Sequence, residues 1–206
     1  MTTLGFAPAD FKVFEVEGFN ERMQQIYAHV RPKLLRLGDE LAPAIARRLH
    51  MEFFPHVAKH ARRSVNPPPE TWAAFGPSPR GYKRFGYLAL CISGAGIHAR
   101  AVVKSEADKR DEMGASLKAR SAQLAKAFNG TGIARYEKWD FRQLPQEVGA
   151  DPDFFSALGL ALQKKSGGID VGFGWPVKEA LRLDREELID AFRELEPLYR
   201  VLRSVV

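Results

Sequence analysis

Only one cysteine, Cys91, occurs in the 206-residue sequence, which excludes an intrachain disulfide. No apolar run reaches the roughly 18 residues that a membrane helix needs, even in the most apolar stretch, Tyr87 to Val103. Residues 1–15 lack the basic start and apolar block of a signal peptide. We therefore expect a cytoplasmic protein with no membrane association.

Standard cofactor and catalytic motifs are missing as well. The chain has no Walker-type phosphate loop, no Rossmann glycine pattern and no His-Glu-x-x-His zinc motif, so no cofactor is predicted. A hydrophobic fraction of 45% and a charged fraction of 27% are ordinary for a globular protein. The length suits one core, and a single domain over residues 1–206 is expected.

The positive charge is concentrated in one segment. The chain carries a net charge of +6, and the segment His56 to Arg84 alone has six lysines and arginines against one acid, Glu70. A local positive surface attracts phosphates, nucleotides, nucleic acid or an acidic partner. The alternative is a solvated basic face that only aids solubility.

Apolar spacing and capping residues predict several helices. A short turn is expected at 8–14, followed by a helix that Asn20 caps and that Pro32 kinks or breaks. Further helices are expected at about 39–50, 107–128 and 152–165, and after a capping box of Asp184 and Glu187, with a bend at Pro197.

Strand patterns lie between these helices. Strands are expected at 70–75, 87–93, 97–104, 133–141 and 169–175, with Gly94–Gly96 as a three-residue hairpin loop. On the return strand of that hairpin, His98, Arg100, Val102 and Lys104 form a face with basic groups. Together these elements predict an α+β fold: a largely antiparallel sheet of about five strands with helices packed on it.

His56 and His60 are the candidate catalytic residues. Spaced four apart, they would share one face of a helix over residues 53–63. Two imidazoles at this spacing can bind zinc, but a third ligand would have to come from elsewhere, such as His98, Asp140 or Asp170. They can also act as acid or base while neighbouring arginines hold an anionic substrate.

The same segment offers groups suited to binding a nucleotide. Cations would contact phosphates, aromatic rings would stack on bases, and an amide would hydrogen-bond a base edge. The candidate ligand-binding residues are Lys59, Arg62, Arg63, Asn66, Trp72, Arg80, Tyr82 and Lys83. Trp72 could instead lie in the core. In a purely structural alternative, Arg62 and Arg63 anchor the Asn-Pro-Pro-Pro loop through backbone carbonyls and Glu70.

Several segments resemble the YktB-like proteins, a bacterial family with no assigned activity. They are GFAPADFKVFEVEGFNERM, VRPKLLRLGDELAP, FPHVAKHARRSVNPP, TWAAF and RGYK, with GFGWPVKEAL and EPLY near the C-terminus. The resemblance covers essentially the whole chain and is weakest at about 107–153. It implies a single-domain, cytoplasmic α+β fold and carries over no activity.

The leading hypothesis from the sequence is a protein that binds a phosphate-bearing small molecule or nucleic acid through residues 56–84. The second is an enzyme that acts on such a ligand with His56 or His60 as acid or base. The oligomeric state stays open.

Overall fold

The computed structural model describes residues 2–61 and 64–205. Their α-helices are α1 (Pro8–Lys12), α2 (Phe19–Gln25), α3 (Arg31–Leu49), α4 (Arg110–Ala119), α5 (Ser121–Phe128), α6 (Pro152–Leu162), α7 (Val177–Ala180), α8 (Arg185–Glu194) and α9 (Glu196–Arg203). Their strands are β1 (Phe54–Val57), β2 (Glu70–Gly76), β3 (Tyr87–Ser93), β4 (Gly96–Val103), β5 (Gly132–Arg135), β6 (Glu147–Gly149) and β7 (Ile169–Pro176). A π-helical turn spans Ile26–Val30, and 3-10 turns span Val13–Glu15 and Tyr82–Arg84.

The strands form one antiparallel sheet in the order β1-β2-β3-β4-β7-β5-β6. This confirms the α+β class and the antiparallel sheet, but the sheet has seven strands rather than about five. The two unforeseen strands, β1 and β6, are the edge strands. They have four and three residues, too few to show a clear alternation of apolar and polar side chains.

The helices cover one face of the sheet, and their apolar stripes pack on alternate residues of the central strands. Residues from Leu4 to Leu202 contribute to this core. The opposite face, here called the second face, carries its own smaller clusters around Tyr87 and around Trp139. The irregular connection Tyr136–Gln146, between β5 and β6, contributes Tyr136, Trp139, Phe141 and Leu144 to the Trp139 cluster.

The central hairpin differs from prediction in two respects. Ser93 pairs with Gly96, so the loop has two residues rather than three, and Gly96 has a φ of 148° that favours glycine. Every residue of β4 is buried, including His98 and Arg100. The alternation was predicted in the right register, but its basic face is interior because the β5–β6 connection covers it.

Neither Pro32, where a kink or break was expected, nor Pro43 ends a helix. Pro32 stands at the second position of α3, directly after the π-helical turn, where a missing N–H is tolerated. Pro43 lies inside α3, so the separate helix expected at 39–50 is part of one helix, Arg31–Leu49. Burial of its apolar stripe, including Leu34, Leu41 and Ile45, offsets the roughly 3 kcal/mol that an internal proline costs.

Some helix boundaries follow the predicted signals and others do not. Asp151 caps α6 by accepting a hydrogen bond from the Phe154 N–H at 2.7 Å, and Asp184 and Glu187 form the capping box of α8. The helix expected at 107–128 is divided into α4 and α5 at Arg120, and the Asn20 cap is wrong because Gly18 caps α2. Within the described part of the chain, no helix is long and apolar enough to cross a membrane.

Candidate functional site

A cleft of about 910 Å³ opens at the β1 edge of the sheet. Its walls come from α3, from β1 and the turn after it, from β2 and from the 3-10 turn before β3. We call it the aromatic cleft; it is lined by Arg31, Leu35, Pro55, His56, Val57, Ala58, Lys59, His60, Ala61, Trp72, Gly81, Tyr82, Lys83, Arg84 and Glu106. Its volume lies within the range of small-molecule sites.

His56 is fixed by a backbone contact and by ring stacking. It pairs with Ala74 in the ladder, and its ring stacks on Tyr82 with centroids 4.9 Å apart and planes 24° apart. His56 Nε2 lies 2.9 Å from the carbonyl oxygen of Ser78, which can only accept, so Nε2 carries a proton. In the neutral ring, Nδ1 therefore holds the lone pair and is the atom that can accept a proton.

Tyr82 links His56 to Trp72. The Trp72 Nε1–H donates to Tyr82 Oη at 3.1 Å, and Tyr82 meets the edge of Tyr87 with centroids 4.9 Å apart. Gly76 permits this approach, since a Cβ there would meet the Tyr82 Cβ at 2.8 Å. Burial raises the pKa of Tyr82, so the phenol stays protonated at neutral pH. The half-buried rings present a rigid aromatic wall to the cleft.

His60 does not share a helix face with His56. His56 is in strand β1 and His60 is in the following turn, with a φ of 49°, so the helical interpretation is wrong for residues 53–61. Its Nε2 lies 3.1 Å from Thr71 Oγ1, and its ring meets Trp72 edge-on at 5.3 Å. The antiparallel pairing of β1 with β2 nevertheless brings both histidines to the aromatic cleft.

Four cationic side chains and one carboxylate, Glu106, line the aromatic cleft. Arg84 pairs with Asp108 at 2.7 Å, and Lys83 lies 3.8 Å from Glu106. Arg31 donates to the Ala58 carbonyl at 2.7 Å, which uses only one of its nitrogens. Lys59 is exposed. The lining therefore has a surplus of positive charge beside the aromatic wall.

The other predicted ligand-binding residues are not among the described residues that line the aromatic cleft. Asn66 and Arg80 are exposed and lie outside the lining of the cleft, while Arg62 and Arg63 are outside the described residues. The Pro-rich loop is tied down by Arg22, which donates to the Pro68 carbonyl at 3.2 Å. Glu70, which the structural alternative assigned to Arg62 and Arg63, binds Arg100 at 2.7 Å.

No group of three His, Cys, Asp or Glu side chains able to hold a metal ion is found among residues 2–61 and 64–205. Of the third ligands considered for zinc, His98 is fully buried on β4, two strands away from β2. The functional groups that line the aromatic cleft are imidazole, phenol, indole, cationic side chains and the Glu106 carboxylate.

Comparison with known proteins places the chain in a family. The model described as Domain of unknown function (DUF1054) matches residues 6–199. The chain belongs to this family. A UPF0637 protein of Bacillus velezensis is 31% identical over 218 aligned positions that cover both chains completely. A UPF0637 protein of Lysinibacillus sphaericus is 32% identical over 213 positions, covering 98% of this chain and 97% of its own.

A UPF0637 protein of Staphylococcus haemolyticus is 53% identical over 90 residues, or 44% of each chain. These matches confirm the resemblance to the YktB-like family, and the relatives named here are bacterial. The names of these relatives state no activity.

A second group of polar side chains in this DUF1054 protein was not predicted to come together, although His98, Arg100 and Asp170 were each noted in the sequence. His98, Arg100 and Asp170 lie on the second face, under Tyr136 and Trp139 of the β5–β6 connection. The only local signal was the alternation of His98 and Arg100 with apolar residues on β4. Because these residues come from distant parts of the chain, no short motif marks the group.

Proposed function

We propose that the aromatic cleft binds a phosphate-bearing ligand, either a nucleotide or a strand of nucleic acid. The observation that carries this proposal is the convergence of the His56–Tyr82–Trp72 rings with four cationic side chains on one cleft of about 910 Å³. Rings offer a stacking face to a base, and cations contact the phosphates.

The contacts that these side chains already make indicate which of them would bind the base and which the phosphates. Tyr82 and Trp72 hold each other in place, so a base that stacks on this wall meets rings that lose little freedom on binding. Lys59 precedes these rings in the sequence and Lys83 follows them. Lys59 is exposed, and the Lys83 amine lies 3.8 Å from Glu106, which is a loose ion pair. We assign the phosphate contacts to these two lysines, with Arg31 beside them.

Binding is measured by fluorescence anisotropy with a labelled single-stranded oligonucleotide and by calorimetry with AMP, so the two sources of phosphate are distinguished. Lys59→Glu/Lys83→Glu should weaken binding about a hundredfold or more, since each of the two lost charge-assisted contacts contributes about 1.5–3 kcal/mol. The matched control is Lys126→Glu/Lys178→Glu, which changes the net charge equally at two exposed lysines outside the cleft.

Unchanged affinity in the cleft variant, or equal losses in both double variants, would contradict the proposal and favour a merely solvated basic face. If the oligonucleotide binds and AMP does not, the ligand is a strand, and the reverse result identifies a nucleotide. Arg62 and Arg63 stay predicted contacts, which Arg62→Glu/Arg63→Glu tests separately.

A second candidate function is catalysis on such a ligand. It is favoured by the His56 tautomer, because the Ser78 carbonyl fixes the proton on Nε2 and leaves Nδ1 to act as general base. Purified protein would be screened for turnover of phosphate esters and nucleotides. His56→Ala should abolish turnover, and the turnover of His60→Ala is measured alongside it. Turnover that survives both substitutions would exclude this role.

We also propose that residues 1–206 act as one domain in the cytoplasm. The support is a core whose members run from Leu4 to Leu202 and a single, buried cysteine. Cell fractionation with an antibody to the protein tests the location, and a single calorimetric unfolding transition would support the single domain.

A further inference from the structure

The aromatic cleft crosses the free edge of strand β1. Its lining includes every residue from Pro55 to Ala58. Leu35 of α3 lines it on the helix-covered side of the sheet, and the stacked rings of His56 and Tyr82 line it on the second face. Since side chains from both faces share one cleft only where the sheet ends, the outer edge of β1 forms its floor. β1 is the first strand in the sheet order, and no described strand pairs with it on the outer side.

The pairing of β1 with β2 determines which backbone groups face the cleft. The Ala58 N–H donates to the Trp72 carbonyl at 3.0 Å, so the alternate residue His56 is also hydrogen-bonded to β2. Pro55 and Val57 therefore direct their backbone groups away from β2, and no hydrogen bond from a described residue reaches them. These groups are two carbonyls and, because proline has no N–H, a single donor, the Val57 N–H.

The free stretch of this edge is short. Arg31 donates to the Ala58 carbonyl at 2.7 Å, and the Tyr27 hydroxyl donates to the Lys59 carbonyl at 3.0 Å. These contacts close the edge after Val57. A peptide that extends a sheet pairs over several residues, and the three free groups are too few for that. In chain order they are an acceptor, a donor and an acceptor, which suits the edge of one planar heterocycle.

A planar ring that reaches this edge lies between the two walls of the cleft. Hydrogen bonds to a carbonyl lie near the plane of the C=O group, so such a ring is roughly coplanar with the sheet. One of its faces then turns to Leu35, which is 44% exposed, and the other to the stacked rings of His56 and Tyr82. The two lysines assigned to the phosphates, Lys59 and Lys83, line the same cleft.

We propose that the Pro55 carbonyl and the Val57 N–H bind the base of the phosphate-bearing ligand, and that this base is adenine. This assignment rests on the proposed function and names the base of its ligand. Adenine presents the N6–H donor, the N1 acceptor and then a C2–H, which complement the Pro55 carbonyl, the Val57 N–H and the Val57 carbonyl.

The other bases fit this edge less well in the same orientation. Cytosine places its O2 acceptor against the Val57 carbonyl. Guanine and uracil place an acceptor, O6 or O4, against the Pro55 carbonyl. Two acceptors that face each other make no hydrogen bond and lose the water that each would otherwise bind, so the contact is unfavourable.

The test is calorimetric titration of the purified protein with AMP, GMP, CMP and UMP. AMP should bind about tenfold or more tightly than each of the others, since they lose a hydrogen bond at the strand edge. If only strands bind, the same comparison is made by anisotropy with homopolymers of deoxyadenylate, deoxycytidylate and thymidylate. Equal affinities would overturn the adenine assignment and leave the proposed function intact, because cations and stacking rings accept every base. No binding of any nucleotide or strand would refute the proposed function and the adenine assignment together.

Analogues of AMP locate the contact on the base. 1-deaza-AMP replaces the N1 acceptor by a C–H, and purine riboside 5′-monophosphate lacks the 6-amino group. Each should bind about tenfold more weakly than AMP. The matched control is 7-deaza-AMP, which is altered away from the Watson–Crick edge and should bind like AMP. Equal affinities of AMP and 1-deaza-AMP would overturn the assignment.

Val57→Pro locates the contact on the protein. It removes an N–H that takes no part in the pairing with β2, and edge strands tolerate proline. The variant should bind AMP and 1-deaza-AMP equally, because N1 then has no donor to contact. Val57→Ala, which shortens the side chain and keeps the N–H, is the matched control and should retain the difference between the two ligands. A difference that persists in Val57→Pro would refute the role of this N–H. If circular dichroism shows that Val57→Pro is unfolded, the comparison of AMP with 1-deaza-AMP on the native protein decides.

Discussion

Arg100→Met tests how the buried ion pairs stabilise the sheet. The Arg100–Glu70 contact of 2.7 Å is buried, with exposed fractions of 1% and 14%, and Asp170 adds a second carboxylate. Although burial alone would lower the pKa of Arg100, Cys91, Glu70 and Asp170 raise it overall, so the guanidinium stays charged. Removing it leaves Glu70 without a cationic partner in a poorly solvated place, and leaves Asp170 with Lys104 alone, at 3.3 Å.

The expected loss is about 3–5 kcal/mol in the free energy of unfolding, the usual cost of removing one partner from a buried pair. That is a large part of the roughly 5–15 kcal/mol that stabilises a domain. Equilibrium unfolding in urea measures the difference. Adding Glu70→Gln to Arg100→Met should recover about 1 kcal/mol or more, since it removes the carboxylate that is left unpaired.

The matched control is Arg84→Met. Arg84 and Asp108 are also 2.7 Å apart, but with exposed fractions of 67% and 48%. Such a pair contributes about 0–1 kcal/mol because water screens it. Similar losses in Arg100→Met and Arg84→Met, or no recovery with Glu70→Gln, would refute the reasoning that burial makes the Arg100 pairs important.

Two further predictions concern other buried residues. Since burial, together with the charge of Arg100, lowers the pKa of His98 in the folded protein, only the unfolded chain takes up this proton below pH 6.5; stability should therefore fall by up to about 1.4 kcal/mol per pH unit towards pH 5. His98→Gln should flatten this urea-unfolding profile, and His29→Gln, at an exposed position, should not. Gly114→Ala should cost about 1–3 kcal/mol, because its Cβ would meet the Gly159 carbonyl of α6 at 2.5 Å. Gly149→Ala, with open space around it, is the control, and equal unfolding energies would contradict the close helix contact.

The parts of the fold that could be predicted are those with a local physical signal. The alternation of Ile169, Val171 and Phe173 indicated β7, and the Asp184–Glu187 capping box indicated α8. By contrast, the four-residue spacing of His56 and His60 imitates a helix. Tertiary pairing of β1 with β2 overrides it.

The candidate site likewise has a part that the sequence predicts and a part that it does not. Residues 56–84 were predicted to work together, and six of those named line the aromatic cleft because β1 and β2 are adjacent in both sequence and space. The buried group on the second face joins Glu70, Arg100, Tyr136 and Asp170, whose proximity depends on pairings between distant strands. The spacing of residues along the chain does not indicate such contacts.

The most direct test of the proposed function follows the imidazole signals of the protein by NMR during titration with AMP and with a single-stranded oligonucleotide. His56 and His60 line the aromatic cleft, and His29 is exposed outside its lining. If the cleft binds a phosphate-bearing ligand, one of the two additions shifts the His56 and His60 signals in a saturable manner and leaves His29 unchanged. Unshifted His56 and His60 signals with both additions, or an equal shift of His29, would contradict the account.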